Sequence, residues 1–148
     1  MTTETFMPYL TNTTTRRIEW GECDPAGIVF YPRFFAMFDN ATTLLFSAAL
    51  DMTKYQFLEK YDCAGYPMVD TRARFLVPCR FGDDVAIETS IAEIKRSSFQ
   101  VTHHLKNNGA LAVEAFETRV WTGRDPADPS KIRSQPIPAE VIAKLSRS

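Results

Sequence analysis

From residue 84 to residue 121 hydrophobic and polar side chains alternate. Val85, Ile87 and Ile91 mark one side of a first run, and Phe99, Val101, His103 and Leu105 one side of the next. A period of two puts successive side chains on opposite faces of a strand. Strands are therefore predicted over 84–95, Ser98–Asn107 and 110–121, with another over 68–78. Asn107-Asn108-Gly109 marks a hairpin between two of them, because Asn and Gly accept the positive φ that tight hairpins require. Upstream the period changes. Phe34, Phe35, Met37, Phe38, Leu44, Leu45, Ala48 and Ala49 recur at helical spacing from Pro32 to about Leu50. Pro32 suits a first helical turn, where its missing N–H forfeits no bond. One long, very apolar helix follows, with Asp39 and Asn40 among its few polar residues. A shorter helix is predicted over 54–61.

At the two ends the pattern is weaker. Residues 13–20 are β-branched and alternate, with Arg16, Ile18 and Trp20 on one side, and read as a first strand. Residues 21–31 carry Asp-Pro and Gly, which form turns. Residues 123–138 hold four of the nine prolines and read as irregular, and 141–145 as a last helical turn or two. Strand, long helix and then four antiparallel strands make an α+β architecture in which a sheet packs on one helix. An uncovered sheet edge and so apolar a helix predict self-association through a symmetric dimer.

Composition narrows the partners. The 148 residues, 45% of them hydrophobic, suit a single domain over 1–148, with 1–12 expected to be loose and 124–148 to form a tail. A net charge of −1 with interspersed signs argues against a nucleic-acid footprint. Cys23, Cys63 and Cys79 form neither a CxxC nor a Cys/His cluster, so no zinc site or disulfide framework is expected. His103 and His104 are adjacent on a strand, point to opposite faces and cannot share a metal. No leader-like segment and no membrane span is expected, which predicts a cytoplasmic protein.

The stretch Glu19-Trp20-Gly21-Glu22-Cys23-Asp24-Pro25-Ala26-Gly27-Ile28-Val29-Phe30-Tyr31-Pro32 resembles the motif of the 4-hydroxybenzoyl-CoA thioesterase family of hotdog-fold enzymes, in its Pseudomonas-type branch. Similarity continues through Asp39, Asp83-Asp84, Ile87-Glu88-Thr89 and Lys95-Arg96-Ser97-Ser98-Phe99, over roughly residues 16–121. The resemblance implies a hotdog fold, a homodimer or a homotetramer built as a dimer of dimers, and hydrolysis of an acyl-CoA thioester with no metal or organic cofactor. It implies that Asp24 is the catalytic carboxylate and that the backbone N–H of Tyr31 polarises the thioester carbonyl, in a site at the subunit interface. Acyl-CoA thioesterases of the wider family carry a His after the Tyr, where this chain has Pro32, which favours the aryl-CoA branch. Arg33, Phe34 and Phe35 replace residues that are more polar in the hydroxybenzoyl enzyme.

The residues themselves support that chemistry. A thioester needs a nucleophile and a place for negative charge on oxygen. A carboxylate such as Asp24 either attacks the carbonyl, giving a mixed anhydride that water cleaves, or activates a water as general base. The first N–H groups of a helix have no intrahelical acceptor and carry its positive end. The Tyr31 N–H is therefore the expected oxyanion donor, and Gly27 lets the loop turn closely around a substrate. Phe34 and Phe35 are expected to wall an aromatic acyl group, with Asp39 accepting from a ring hydroxyl. CoA phosphates need cations, and Lys95, Arg96, Ser97 and Ser98 share a turn suited to them. Two alternatives use the same scaffold: hydrolysis of short or medium aliphatic acyl-CoA, and binding of acyl-CoA or an acyl carrier without turnover.

Overall fold

The computed structural model describes residues 8–146. The hairpin that turns at Asn108-Gly109 matches its sequence signal. Asn107 pairs with Ala110, so Asn108 and Gly109 alone make the turn, at φ 52° and 81°. Those values match a two-residue turn with positive φ at both central positions. The strands this hairpin joins, β4 (Ser98–Asn107) and β5 (Ala110–Val120), lie in a five-stranded antiparallel sheet with β1 (Thr11–Arg17), β2 (Met68–Phe75) and β3 (Asp84–Ile94). The order across the sheet is β1-β3-β4-β5-β2. Alternation decides which face is inside: Val85, Ile87, Thr89 and Ile91 of β3 and Phe99, Val101, His103 and Leu105 of β4 are all buried.

Against that face lies α1 (Pro32–Leu50), which buries Phe34, Met37, Phe38, Ala41, Thr42, Leu45 and Phe46 at spacings of three and four. Pro32 opens it, and Asp51, left-handed at φ 54°, closes it. This is the expected α+β hotdog arrangement of one long helix held by an antiparallel sheet. A short helix, α2 (Lys54–Lys60), follows with Thr53 and Gln56 forming a reciprocal cap.

The core falls into two apolar clusters along α1. One gathers Ile18, Phe34, Phe38, Ile87, Leu105 and Val113; the other gathers Phe46, Phe57, Ile91, Phe99, Trp121 and Val141. Between them the inward positions are polar: Thr42 on α1, Thr89 on β3, His103 on β4 and Glu117 on β5.

The ends differ from expectation. The first strand is Thr11–Arg17 rather than 13–20, because Glu19 and Glu22 cap a 3₁₀ turn (Trp20–Glu22) that breaks the alternation and leaves Trp20 exposed. Residues 8–12 are not loose: Tyr9 bridges Ser146, and the Leu10 N–H donates to the Leu145 carbonyl at 2.9 Å. Residues 1–7, also expected to be loose, lie outside the described residues. The segment from 124 is not a tail. Strands β6 (Thr122–Arg124) and β7 (Ile132–Ser134) pair, and α3 (Ala139–Leu145) buries Val141 and Leu145. No helix among the described residues is long and apolar enough to cross a membrane.

Candidate active site

The loop between the 3₁₀ turn and α1 folds back on itself. Asp24 Oδ1 accepts the Ala26 N–H at 2.8 Å, and the Asp24 carbonyl accepts the Gly27 N–H at 2.9 Å. Such Asp-Pro turns satisfy the backbone locally and fix the side chain. The two arms are then tied together: Asp24 N–H donates to the Ile28 carbonyl and Phe30 N–H to the Glu22 carbonyl, each at 2.9 Å. Behind them, Val29 N–H donates to the Cys79 carbonyl at 2.9 Å and Phe81 N–H to the Gly27 carbonyl at 3.2 Å. Asp24 thus rests on the segment that follows β2.

Pro32 decides what the helix start offers. It has no N–H, the Arg33 N–H donates to the Phe30 carbonyl at 2.8 Å, and the Phe34 N–H to the Tyr31 carbonyl at 3.1 Å. Among the described residues the Tyr31 N–H has no acceptor. It is the donor left over at the positive end of a 19-residue helix.

Asp24 and Tyr31 line one cleft of about 720 Å³. Its walls are apolar: Ile28, Val29, Phe30 and Phe34 on one side, Phe75 to Cys79 on the other. Asp24 is the one charged side chain lining it among the described residues. Two of its lining rings, Tyr31 and Phe75, meet edge-on with centroids 6.2 Å apart. Cys23, beside the acid, is a poor nucleophile, since desolvation and the nearby Glu22 and Asp24 push its thiol pKa up. Burial and Asp83 push Cys79 up to about 11.

The remaining expected residues are distributed around this cleft. Phe34 lines it, and Phe35 meets Phe75 edge-on at 6.4 Å from outside the wall. Asp39 lies two turns beyond Tyr31, about 12 Å along the axis, and does not line the cleft of a single chain. Its Oδ1 instead accepts from Arg119 Nη2 at 2.7 Å. Lys95, Arg96, Ser97 and Ser98 make the β3–β4 turn, with both cations exposed and without an acidic partner among the described residues. That turn is at the far end of the 11-residue β3 from the Asp24 loop, about 35 Å away at strand rise.

Two parts of the site escaped the sequence pattern. The wall 75–79 is carried by Leu76-Val77-Pro78, which reads as the end of a strand; Pro78 was the sign that the strand stops early. Arg119 could have been found by extending the inward alternation of β5 from Val113 and Ala115, which makes Glu117 and Arg119 face inward. His103 faces inward, stacked on Phe38 at 4.8 Å, while His104 faces outward with Glu114 at 3.0 Å.

Residues 18–145 match the thioesterase-like superfamily. The chain belongs to that superfamily. It is 32% identical over 140 residues to the 4-hydroxybenzoyl-CoA thioesterase of Pseudomonas sp. (strain CBS-3), covering 90% of this chain and 96% of that protein. A crystal structure of a 4-hydroxybenzoyl-CoA thioesterase mutant bound to 4-hydroxybenzoyl-CoA matches at a TM-score of 0.83 and 31% identity, over 92% of this chain and 99% of that one. The structure of a gentisyl-coenzyme A thioesterase matches at 0.77 and 30%, over 90% and 99%. The thioesterase fold therefore extends along nearly the whole chain, with the Asp24 loop and the start of α1 inside the matched region.

Proposed function

We propose that this protein hydrolyses an aromatic acyl-CoA thioester, 4-hydroxybenzoyl-CoA or a close analogue, to the free acid and CoA. The observation that carries the proposal is the meeting of the Asp24 carboxylate and the unpaired Tyr31 N–H on one apolar cleft. The near-full-length similarity to an enzyme named for that substrate supports it, and so does the mutant of such an enzyme, with Asp replaced by Asn, captured with the thioester.

The thioester carbonyl oxygen accepts from the Tyr31 N–H, at the point where negative charge develops. Asp24 then acts by one of two routes. In one, its carboxylate oxygen bonds to the carbonyl carbon, the C–S bond breaks, CoA leaves as thiolate, and water cleaves the mixed anhydride to regenerate Asp24. In the other, Asp24 takes a proton from a water whose oxygen bonds to that carbon, the C–S bond breaks, and CoA leaves as a thiolate that takes the proton back from Asp24. A carboxylate and a helix N-terminus meet the needs of either route, so the reaction calls for no metal or organic cofactor. The low-dielectric walls strengthen both interactions.

Phe34 flanks the acyl ring with Phe35 behind Phe75, Asp39 of a neighbouring subunit accepts from a ring hydroxyl, and Gly27 keeps the loop tight beneath the reacting bond. Lys95, Arg96, Ser97 and Ser98 hold CoA phosphates. Because that turn is so far from Asp24 within one chain, the cations that meet a given CoA come from a neighbouring subunit. A homodimer that pairs two β2 edges, with or without a second dimer, brings this about. The free edge of β2, with Val69 60% exposed, and the apolar rim at Phe75 are consistent with such a partner. Sedimentation of the wild type and of Val69→Lys tests this, and a monomeric wild type would refute it.

The functional test is thiol release from a panel of 4-hydroxybenzoyl-, benzoyl-, phenylacetyl-, butyryl- and palmitoyl-CoA. Preference for the aromatic members supports the proposal. Preference for butyryl- or palmitoyl-CoA would replace the substrate, and tight binding without turnover of any would replace the activity.

A further inference from the structure

The polar layer between the two core clusters forms one connected chain of hydrogen bonds. Thr42, Thr89, His103, Glu117 and Arg119 are each at most 3% exposed. Thr89 Oγ1 meets His103 Nδ1 at 2.9 Å, and His103 Nε2 meets Glu117 Oε2 at 3.1 Å. A carboxylate can only accept, so Nε2 carries the proton that faces Glu117. Glu117 Oε1 accepts from Thr42 Oγ1 at 2.7 Å and from Arg119 Nε at 2.9 Å. Arg119 Nη1 donates to the Tyr66 carbonyl at 3.2 Å. The chain ends where Arg119 Nη2 reaches Asp39 Oδ1, on a side chain that is 60% exposed.

Stability alone is a weak reason for this arrangement, because buried ion pairs seldom outperform well-packed apolar groups of the same volume. Its geometric effect is specific. Glu117 and the Tyr66 carbonyl occupy two of the donor positions of a planar guanidinium that never deprotonates. The remaining edge can then point in only one direction, toward α1. Asp39, on the open face of that helix, would otherwise sample several rotamers. Arg119 holds one oxygen and leaves Oδ2 without a partner among the described residues.

We infer that Arg119, braced by Glu117 and His103, is a positioning residue that fixes Asp39 Oδ2 as an acceptor for a hydroxyl on the acyl group, and so sets selectivity for hydroxylated over plain aryl-CoA. This rests on the reading of Asp39 as an acyl-pocket residue. The network acts on discrimination and leaves the reacting bond, at Asp24 and Tyr31, untouched.

The readout is the ratio of kcat/KM for 4-hydroxybenzoyl-CoA to that for benzoyl-CoA. A parallel ratio of affinities, measured by calorimetry in Asp24→Asn, needs no turnover. Asp39→Ala is expected to lower the ratio about tenfold, the scale of one net hydrogen bond on a solvent-facing side chain. Arg119→Met should lower it comparably, and the double variant no further. Arg119→Lys keeps the buried charge, and with it the fold, yet cannot bond Glu117, Tyr66 and Asp39 together; it should also lose the ratio. If Asp39→Ala lowers the ratio and neither folded Arg119 variant does, Arg119 is structural and the inference is wrong. If Asp39→Ala itself leaves both ratios unchanged, the inference also falls, whereas thioester hydrolysis that depends on Asp24 would survive.

Discussion

The Gly27 N–H donates to the Asp24 carbonyl at 2.9 Å, with Gly27 in the left-handed region at φ +80°. This contact closes the turn that carries the candidate catalytic acid. A Cβ at Gly27 would meet nothing within 4 Å, so the penalty for Gly27→Ala is one of backbone conformation rather than crowding. It should be about 1 kcal/mol. Thermal unfolding is expected to shift downward modestly, with activity falling further as Asp24 moves relative to Tyr31. Gly27→Asn, which tolerates this φ better, should recover part of both. Equal stability of all three proteins would show that the turn is not held in this geometry.

Asp24→Asn separates chemistry from folding unusually well. The amide oxygen of Asn can still accept the Ala26 N–H, so the turn should persist and the melting temperature stay near that of the wild type. The carboxylate's attacking or proton-accepting capacity is lost, and kcat should drop about 10²–10⁴-fold with KM little changed. Tyr31→Phe, by contrast, should be mild, because the proposed donor is the backbone N–H. A kcat for Asp24→Asn within about tenfold of the wild type would remove Asp24 from the chemistry.

Lys95 and Arg96 project from the β3–β4 turn, whose backbone is fixed independently of their side chains. The Lys95 N–H donates to the Ser98 carbonyl at 2.8 Å, and the Arg96 and Ser97 carbonyls accept from Ile137 and Trp121. Lys95→Ala/Arg96→Ala should therefore fold normally. KM for acyl-CoA is expected to rise by more than kcat falls, and the wild type's dependence of KM on salt to flatten, since exposed charges act through screened attraction. A fall in kcat with KM unchanged would take the turn out of the CoA site.

How far these features could be read from sequence follows from what each depends on. Val85 to Leu105 alternate because one face of their strands is buried, and Pro32 to Leu50 repeat every three to four residues because one helix stripe is buried. Such local periodicity survives in a single chain. The Asp24 turn and the helix start at Pro32 were legible because Asp-Pro, Gly27 and Pro32 lie only a few residues apart in the chain. Trp20 misled because a capped 3₁₀ turn interrupts an alternation that the residue types alone continue. Ile137 was lost among prolines, and Val141 and Leu145, read only as a last helical turn or two, gave no sign that they close the second core cluster. Phe75 to Cys79 and Arg119 reach the site only through the sheet, which brings β2 and β5 side by side.

Acid stability should report on Glu117. Burial on its own would push its carboxyl pKa up, but hydrogen bonds from His103 and Arg119, together with their charges, reverse this and hold it below its ordinary value of 4.5. A carboxyl whose pKa is lowered on folding contributes stability that is fully present above its unfolded pKa. That contribution disappears as pH falls through the lower, folded value. The wild type is thus expected to lose melting temperature progressively as pH drops below about 4.5. Glu117→Gln should be less stable at neutral pH, because Arg119 keeps its charge in the core with only the largely exposed Asp39 as counter-ion, and should show a shallower decline on acidification. The check is a set of melting curves from pH 7 to pH 3 for both proteins. Parallel declines would mean that other carboxylates, such as the exposed Asp84 beside Arg17, dominate the acid limb. A steeper wild-type curve assigns that part of the acid limb to the buried pair behind Asp39.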